Sequence, residues 1–193
     1  MKVLKEIGSW IAYIVVAFVI ASLLNGFVFQ ITSVSGSSMV PTLHNGDLYI
    51  ISKLGKITGS VPDAGDIIVI DSRTDRIRSL ADDFTDIPKY NALTTFVRHS
   101  ADDIYWVKRV IGLPGDTIRL SNGKVYRNGT ALSEDYINKE EYPDYPDIEV
   151  TVPEGYLWVM GDNRNHSSDS RVIGCVPVQN VIGKLKFRLK SGR

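Results

Sequence analysis

Eight residues, Ser35-Gly36-Ser37-Ser38-Met39-Val40-Pro41-Thr42, crowd hydroxyls around one glycine just past a long apolar run, and Ser38 is the candidate nucleophile. A serine hydroxyl is a poor nucleophile at its ordinary pKa, so another residue must take its proton. A Ser/Gly loop joining two elements would look much the same in isolation, so the partner decides the reading. Three histidines offer themselves. His44 follows the serines inside a turn, His99 lies in an irregular polar stretch and His166 interrupts a polar loop, so each reads as a solvated surface residue and none supports a Ser-His-Asp triad.

Lys108 differs. Strand alternation along Ile104 to Gly112 puts it on one face with Trp106 and Val110, while Tyr105, Val107, Arg109 and Ile111 face the other way. Burial between those side chains disfavours the ammonium, and a neutral amine can accept a hydroxyl proton. Lowering a lysine pKa from about 10.4 toward 8 costs roughly 3 kcal/mol, and a strand lysine can instead keep its head in water. A third polar cluster, Gly161-Asp162-Asn163-Arg164-Asn165-His166-Ser167-Ser168-Asp169-Ser170-Arg171, is too dense for a generic connection. A calcium loop is one reading, disfavoured because Arg164 falls where an oxygen ligand is needed and helical flanks are missing. Paired Asp and Arg side chains with spare hydroxyls suit a rigid frame that orients a lysine and a serine. No metal or cofactor is expected.

These residues need elements to hold them. With 193 residues and 44% hydrophobic content the chain holds one domain of ordinary size plus an extra element. Lys+Arg and Asp+Glu each total 22, so there is no basic field and nucleic acid is not an expected partner. The single cysteine, Cys175, makes neither an intrachain disulfide nor a metal cluster and reads as a small apolar side chain. Ile7 to Gly46 carries no Asp, Glu, Lys or Arg, and Trp10 to Phe29 is overwhelmingly apolar. Twenty such residues make a helix of about 30 Å, enough to span a bilayer. The run is too long for a cleaved signal peptide and lacks a small-x-small exit site, so it reads as a retained anchor. Lys2 and Lys5 on its N-terminal flank place Met1 in the cytosol and the rest outside.

Past the anchor the chain reads as strands: Asp47 to Lys53, Ile67 to Ile70, Ile104 to Gly112, Thr117 to Leu120, Ile148 to Val152, Tyr156 to Met160 and Val181 to Leu189. Asn122-Gly123 and Asn128-Gly129 are hairpin turns. The stretches from Asp71 to His99 and from Glu134 to Asp147 read as loops. The expectation is a mainly β protein: an anchor over residues 1–30, then an extracytoplasmic all-β domain with hairpin insertions over 31–193.

The chain resembles the bacterial type I signal peptidases, membrane-anchored serine-lysine leader peptidases. The resemblance rests on ordered blocks: Ser37-Ser38-Met39-Val40-Pro41-Thr42-Leu43, Gly65-Asp66, Tyr105 through Asp116, and Gly161-Asp162-Asn163-Arg164 with Ser167, Asp169, Ser170 and Arg171. It implies that Ser38 attacks a scissile carbonyl, Lys108 acts as the base and Ser167 holds the lysine amine. It also implies that Arg109 pairs with Asp162, and Asp169 with Arg171, as supports. The family uses the nucleophile's backbone N–H as an oxyanion donor, and some members add a hydroxyl two residues earlier. Here that position is Gly36, so backbone donors or the Ser37 hydroxyl would serve instead. The family's substrate lies as an added strand between segments matching Ile31 to Ser37 and Tyr105 to Lys108, with Ile31, Val34, Tyr105 and Val107 as wall candidates. The implied substrates are secretory preproteins, cut at the outer face of a bacterial plasma membrane after Ala-x-Ala. An inactive binding module is disfavoured by the intact Ser38 and Lys108. A cytosolic self-cleaving serine-lysine regulator is disfavoured by the charge-free anchor.

Overall fold

The structure, a computed structural model, describes residues 2–86, 104–137 and 147–192. Its first element, α1 (Lys2–Phe27), contains a span from Glu6 to Leu24 with mean hydropathy 2.3, none of it buried by the rest of the molecule. A helix apolar on all sides whose Glu6–Leu24 span stays uncovered suits lipid rather than water. By length and composition it can cross a membrane.

The helix stops before its apolar run does. Gly26 sits in the last turn, and Lys53 Nζ donates to its carbonyl at 2.9 Å, a cation at the negative end of the helix. Phe29 is then drawn into β1 (Phe29–Ser33), antiparallel to β2 (Leu48–Ser52) with Phe29 opposite Ser52. The hydropathy boundary at residue 30 therefore falls inside a strand. Apolar composition marks what lipid or a core will accept, whereas the ladder with β2 decides the backbone.

Further strands follow as β3 (Ile67–Asp71), β4 (Tyr105–Gly112), β5 (Thr117–Ser121), β6 (Lys124–Arg127), β7 (Thr130–Ala131), β8 (Ile148–Thr151), β9 (Tyr156–Met160), β10 (Val176–Pro177) and β11 (Val181–Lys190). They form a seven-stranded sheet in the order β1-β2-β11-β3-β4-β9-β10 and a four-stranded sheet in the order β7-β6-β5-β8. The domain is mainly β, as its strand periodicity and Asn-Gly turns indicate. β4 is central because it pairs with β3 along Tyr105 to Arg109 and with β9 from Arg109 onward. At its end Gly112 lets the sheets meet, since a Cβ there would lie 2.8 Å from Ile118 Cδ1.

The inward faces of the strands make the core. Ile68, Ile70, Val110, Leu157, Val159 and Val176 fill one cluster. Ile111, Ile118, Leu120, Val125, Trp158 and Met160 fill another across the sheet junction. A third, Val34, Met39 and Leu43, lies beneath the serine-rich loop and anchors it from inside. Full burial of such side chains contributes roughly 1.5–3 kcal/mol each.

Short helices occupy places that the sequence pattern leaves as loops: α2 (Leu54–Thr58), α3 (Leu80–Asp86) and α4 (Ser170–Ile173). None is long enough to show a helical period, so periodicity does not find them. Local capping does leave a trace: Asp169 precedes α4 and accepts from the Arg171 N–H at 3.2 Å. His99, and the parts of the two expected loops over 87–103 and 138–146, lie outside the described residues.

Candidate active site

Three segments converge: the serine loop after β1, the middle of β4, and the polar loop that runs from β9 to α4. Each is placed by its neighbours in the sheet. Lys108 sits opposite Ile68 of β3, and its residue is only 3% exposed. Its Nζ lies 2.8 Å from Ser38 Oγ. The ammonium also stands 5.5 Å from the Trp106 ring centroid, on the strand face that alternation assigns to both.

The Ser38 backbone is pinned from the polar loop. Asn163 N–H donates to the Ser38 carbonyl at 3.0 Å, and Asn163 Nδ2 donates to the Ser37 carbonyl at 3.1 Å. Gly161 passes so close that a Cβ there would lie 2.5 Å from the Ser38 carbonyl oxygen, which makes glycine a packing requirement. Gly36 takes φ +91, the left-handed region glycine favours, and its N–H donates to Asn45 Oδ1 at 3.2 Å. The Gly36 amide is thus committed to the turn that ends the serine loop. Among the described residues, the Ser38 N–H has no acceptor.

Two arginine-carboxylate pairs frame the dyad. Arg109 holds Asp162 with Nε at 2.8 Å and Nη2 at 2.6 Å, and Arg171 holds Asp169 with Nε and Nη2 at 2.8 Å. Both aspartates are fully buried. Ser167 Oγ donates to Asp169 Oδ2 at 2.9 Å and more weakly to the Ser168 carbonyl, so its bonds go to the frame rather than to Lys108. Burial works against ionisation of Asp169, yet the Arg171 guanidinium, the Gly161 N–H and the Ser167 hydroxyl hold its carboxyl below the usual range. Burial brings Lys108 down to about 8, partly opposed by the negative charge of Asp169.

The chemical capacity follows. An amine with a pKa of about 8, in contact with a hydroxyl, can take that proton and return it to a leaving group. Among the described residues Lys108 makes no ion pair, and no cluster of His, Cys, Asp and Glu could hold a metal. His44 is part-buried beside Asp47 and His166 is exposed in a 3₁₀ turn (Arg164–His166), with neither bonded to Ser38.

The residues named as substrate walls divide. Ile31 is 37% exposed on β1, and Val107 is part-buried between core clusters. Val34 is 4% exposed and packs against Met39 and Leu43, so it supports the serine loop from beneath instead of facing an open groove. Tyr105 turns its phenol to Arg78, whose Nη1 donates to it at 3.1 Å. Sequence reasoning missed Thr42 as a working part, although it lies within the serine block: its hydroxyl donates to Asp162 at 2.5 Å. It also missed Glu134 and Tyr136, which an acidic, tyrosine-rich composition had marked only as loop.

Residues 7–190 match the protein family described as signal peptidase, peptidase S26. The chain is 39% identical over 178 residues to the protein named "Probable signal peptidase I-1" of Synechocystis sp., covering 92% of this chain and 80% of that one. It is 33% identical over 193 residues to signal peptidase I S of Bacillus subtilis, covering 95% and 89%. A crystal structure of a signal peptidase I from Enterococcus faecalis is 31% identical, covers 65% of this chain and 97% of that chain, and aligns with a TM-score of 0.44.

Proposed function

The chain belongs to the peptidase S26 signal peptidases, serine endopeptidases of the signal peptidase I type, and from that premise we propose that it removes signal peptides from exported preproteins with Ser38 as nucleophile and Lys108 as base. The observation that carries this assignment is the 2.8 Å contact between Ser38 Oγ and the Nζ of a buried lysine. Ser38 Oγ bonds to the scissile carbonyl carbon while neutral Lys108 takes the hydroxyl proton. The resulting ammonium gives that proton to the departing amine as the C–N bond breaks. A water then attacks the acyl-serine ester, Lys108 takes its proton, and the ammonium returns it to Ser38 Oγ as the acid product leaves. The Ser38 N–H, without an acceptor among the described residues, would donate to the developing oxyanion. With Gly36 carrying no side chain and its amide on Asn45, Ser37 is the neighbouring hydroxyl available to assist. Ser167, Asp169, Arg171, Arg109 and Asp162 hold the reacting pair in register.

Substrate binds as an added strand. The β9 ladder reaches β4 only from Arg109, so the backbone around Val107 and Lys108 lies outside it, and β1 is a sheet edge. An extended peptide points alternate side chains into the enzyme, so the residues one and three before the cut are read. The proposed preference is small-x-small, as in Ala-x-Ala. Ser38 is only nine positions past Phe29, which keeps the site close to the bilayer that α1 spans. Lys2 and Lys5 orient that span with the catalytic domain outside the bacterial plasma membrane.

The test is cleavage of a labelled preprotein by the full-length chain in detergent, wild type beside Ser38→Ala, with peptides varied at the three positions before the cut. Ser38→Ala is expected to abolish cleavage. Replacing either alanine by leucine is expected to lose about 1–3 kcal/mol in kcat/KM. A Ser38→Ala enzyme that still cuts, or equal rates on Ala-x-Ala and Leu-x-Leu, would overturn the respective claim.

A further inference from the structure

The segment just after β7 crosses the back of the active site and carries two side chains that touch its frame from opposite ends. Tyr136 lays its ring over the Arg109 guanidinium, 4.0 Å from Cζ to the ring centroid. Its carbonyl accepts weakly from Thr42 Oγ1 at 3.5 Å, the same hydroxyl that donates to Asp162. Two residues earlier, Glu134 takes the Arg164 guanidinium in a forked pair, Nη1 to Oε2 at 3.0 Å and Nη2 to Oε1 at 2.5 Å. Both partners are hidden, with side-chain exposures of 7% and 2%. The Tyr136 phenol closes the set by donating to Glu134 Oε1 at 3.0 Å.

What these groups hold is the backbone under Ser38. Arg164 Nε donates to the Gly161 carbonyl at 3.0 Å, and Arg171 Nη2 donates to the Arg164 carbonyl at 2.7 Å. Gly161 abuts the Ser38 carbonyl, Asp162 holds Arg109 and Thr42, and Asn163 donates to Ser38. Contacts therefore run in a closed ring: Tyr136, Glu134, Arg164, Gly161, Asp162, Arg109 and back to Tyr136. Lys108 is covalently next to Arg109, and Thr42 is four residues past Ser38, so the ring grips both halves of the dyad. Cation–π contact and charged hydrogen bonds are strongest where water is excluded, and here it largely is.

On the reading that Ser38 and Lys108 carry the reaction, we infer that Glu134 and Tyr136 are positioning residues for that reaction, setting the Ser38–Lys108 approach through Arg164 and Arg109. Neither touches the reacting atoms. Their effect is on geometry, and a misplacement of about 1 Å at a reacting centre is enough to lower a rate ~100-fold. The turnover step should therefore suffer while peptide binding, which uses other surfaces, does not.

The experiment measures kcat and KM on an Ala-x-Ala peptide for full-length Tyr136→Phe, Tyr136→Leu, Glu134→Gln and Glu134→Asp, beside wild type and Ser38→Ala, with thermal unfolding followed for each. Tyr136→Phe keeps the ring over Arg109 but loses the phenol bond to Glu134, so kcat should fall, and by less than in Tyr136→Leu. Tyr136→Leu and Glu134→Gln should lower kcat roughly 10- to 100-fold with KM within a few-fold. If Tyr136→Leu or Glu134→Gln does not fold, Glu134→Asp, which withdraws the same carboxylate from Arg164 by one carbon, decides in the same assay: a loss confined to kcat supports the inference and a wild-type kcat overturns it. Variants that melt earlier but keep wild-type kcat would make the ring merely structural and overturn it. A Ser38→Ala enzyme that still cleaves would instead remove the reading on which the inference rests, so the two failures are distinguishable.

Discussion

Two cations lie buried against β4 and live opposite lives. Lys108 reaches Ser38 and, among the described residues, has no carboxylate in ion-pair contact. Arg78, equally hidden, has its Nη1 3.4 Å from Asp71, its Nε 3.1 Å from Asp83, and Nη1 bonded to Tyr105. Burial alone therefore does not make a group reactive. The carboxylates nearest to Lys108, Asp162 and Asp169, are each gripped by their own arginine, so they neutralise Arg109 and Arg171 and leave the lysine with only a long-range attraction. Desolvation then prevails and brings the amine down to a pKa of about 8. Around Arg78 two carboxylates, which Arg73 and Lys56 also hold, stand in ion-pair contact with the cation, and the charge is locked in place as a structural fastener.

Exchanging each cation for methionine separates the two cases most sharply. Lys108→Met should lower hydrolysis on the order of 10⁴-fold or more, because the proposed nucleophile and base would act as a unit. Its thermal stability at pH 7 should not fall, since a buried, unpaired ammonium is removed. Arg78→Met should do the reverse. Asp71 keeps Arg73 and Asp83 keeps Lys56, so no carboxylate is orphaned, but loss of the buried guanidinium's bonds to Asp71, Asp83 and Tyr105 should still cost about 3 kcal/mol. The fraction still folded should turn over within several-fold of wild type, because Arg78 touches the dyad only through Tyr105. Activity lost with Arg78 and stability lost with Lys108 would erase the contrast.

Titration sharpens it further. Lys108 becomes neutral through a pKa of about 8, so kcat/KM should climb ~10-fold per pH unit below that value and level off above it. From pH 6 to 8 the rise is roughly 50-fold, since half of the amine is still protonated at the pKa. A sole ascending limb near 6.5 would point to histidine instead. The same shift sets stability: between about 8 and the unfolded value of 10.5 the folded state binds fewer protons than the unfolded one, so stability increases with pH across that window. The gain is about 3 kcal/mol, absent below pH 8 and complete above 10.5. Lys108→Met should flatten that slope in a series of denaturant melts. Arg78→Met should leave it untouched, because a guanidinium does not titrate there.

How far this contrast could be read from sequence depends on the range of each interaction. Lys108 was legible because strand alternation is local: Trp106, Lys108 and Val110, with the β-run around them, place it on a buried face. The dense Gly161-to-Arg171 cluster was legible for the same reason, as an unusual run within one loop. Arg78 was not. Its partners Asp71, Asp83 and Tyr105 are spread over a stretch without hydrophobic period, and only folding brings Asn180 to cap its N–H at 2.9 Å. Glu134 and Arg164 are thirty residues apart, and nothing in either neighbourhood announces the other. The end of α1 was misplaced because lipid-compatible residues continue into β1, where hydropathy and strand pairing make different demands on Phe29.

The gentlest test concerns Arg73, which shares Asp71 with Arg78. Its geometry is the better of the two: Nε lies 2.8 Å from Oδ1 and Nη2 lies 2.6 Å from Oδ2. By distance alone it should matter more than Arg78, whose contact with the same carboxylate is 3.4 Å. Exposure reverses that ranking. The Arg73 side chain is 38% exposed, against 2% for Arg78, so water solvates the guanidinium in the folded and unfolded states alike and screens its pull on Asp71. Once the side chain is gone, Asp71 still accepts from the Arg73 backbone N–H at 3.2 Å and still faces Arg78, so no buried charge is orphaned. Arg73→Ala should therefore cost only about 1 kcal/mol in a denaturant melt, a third or less of the loss in Arg78→Met, with the activity profile unmoved. Equal losses from the two arginines would mean that bond length, rather than the exclusion of water, decides which buried cations hold this fold together.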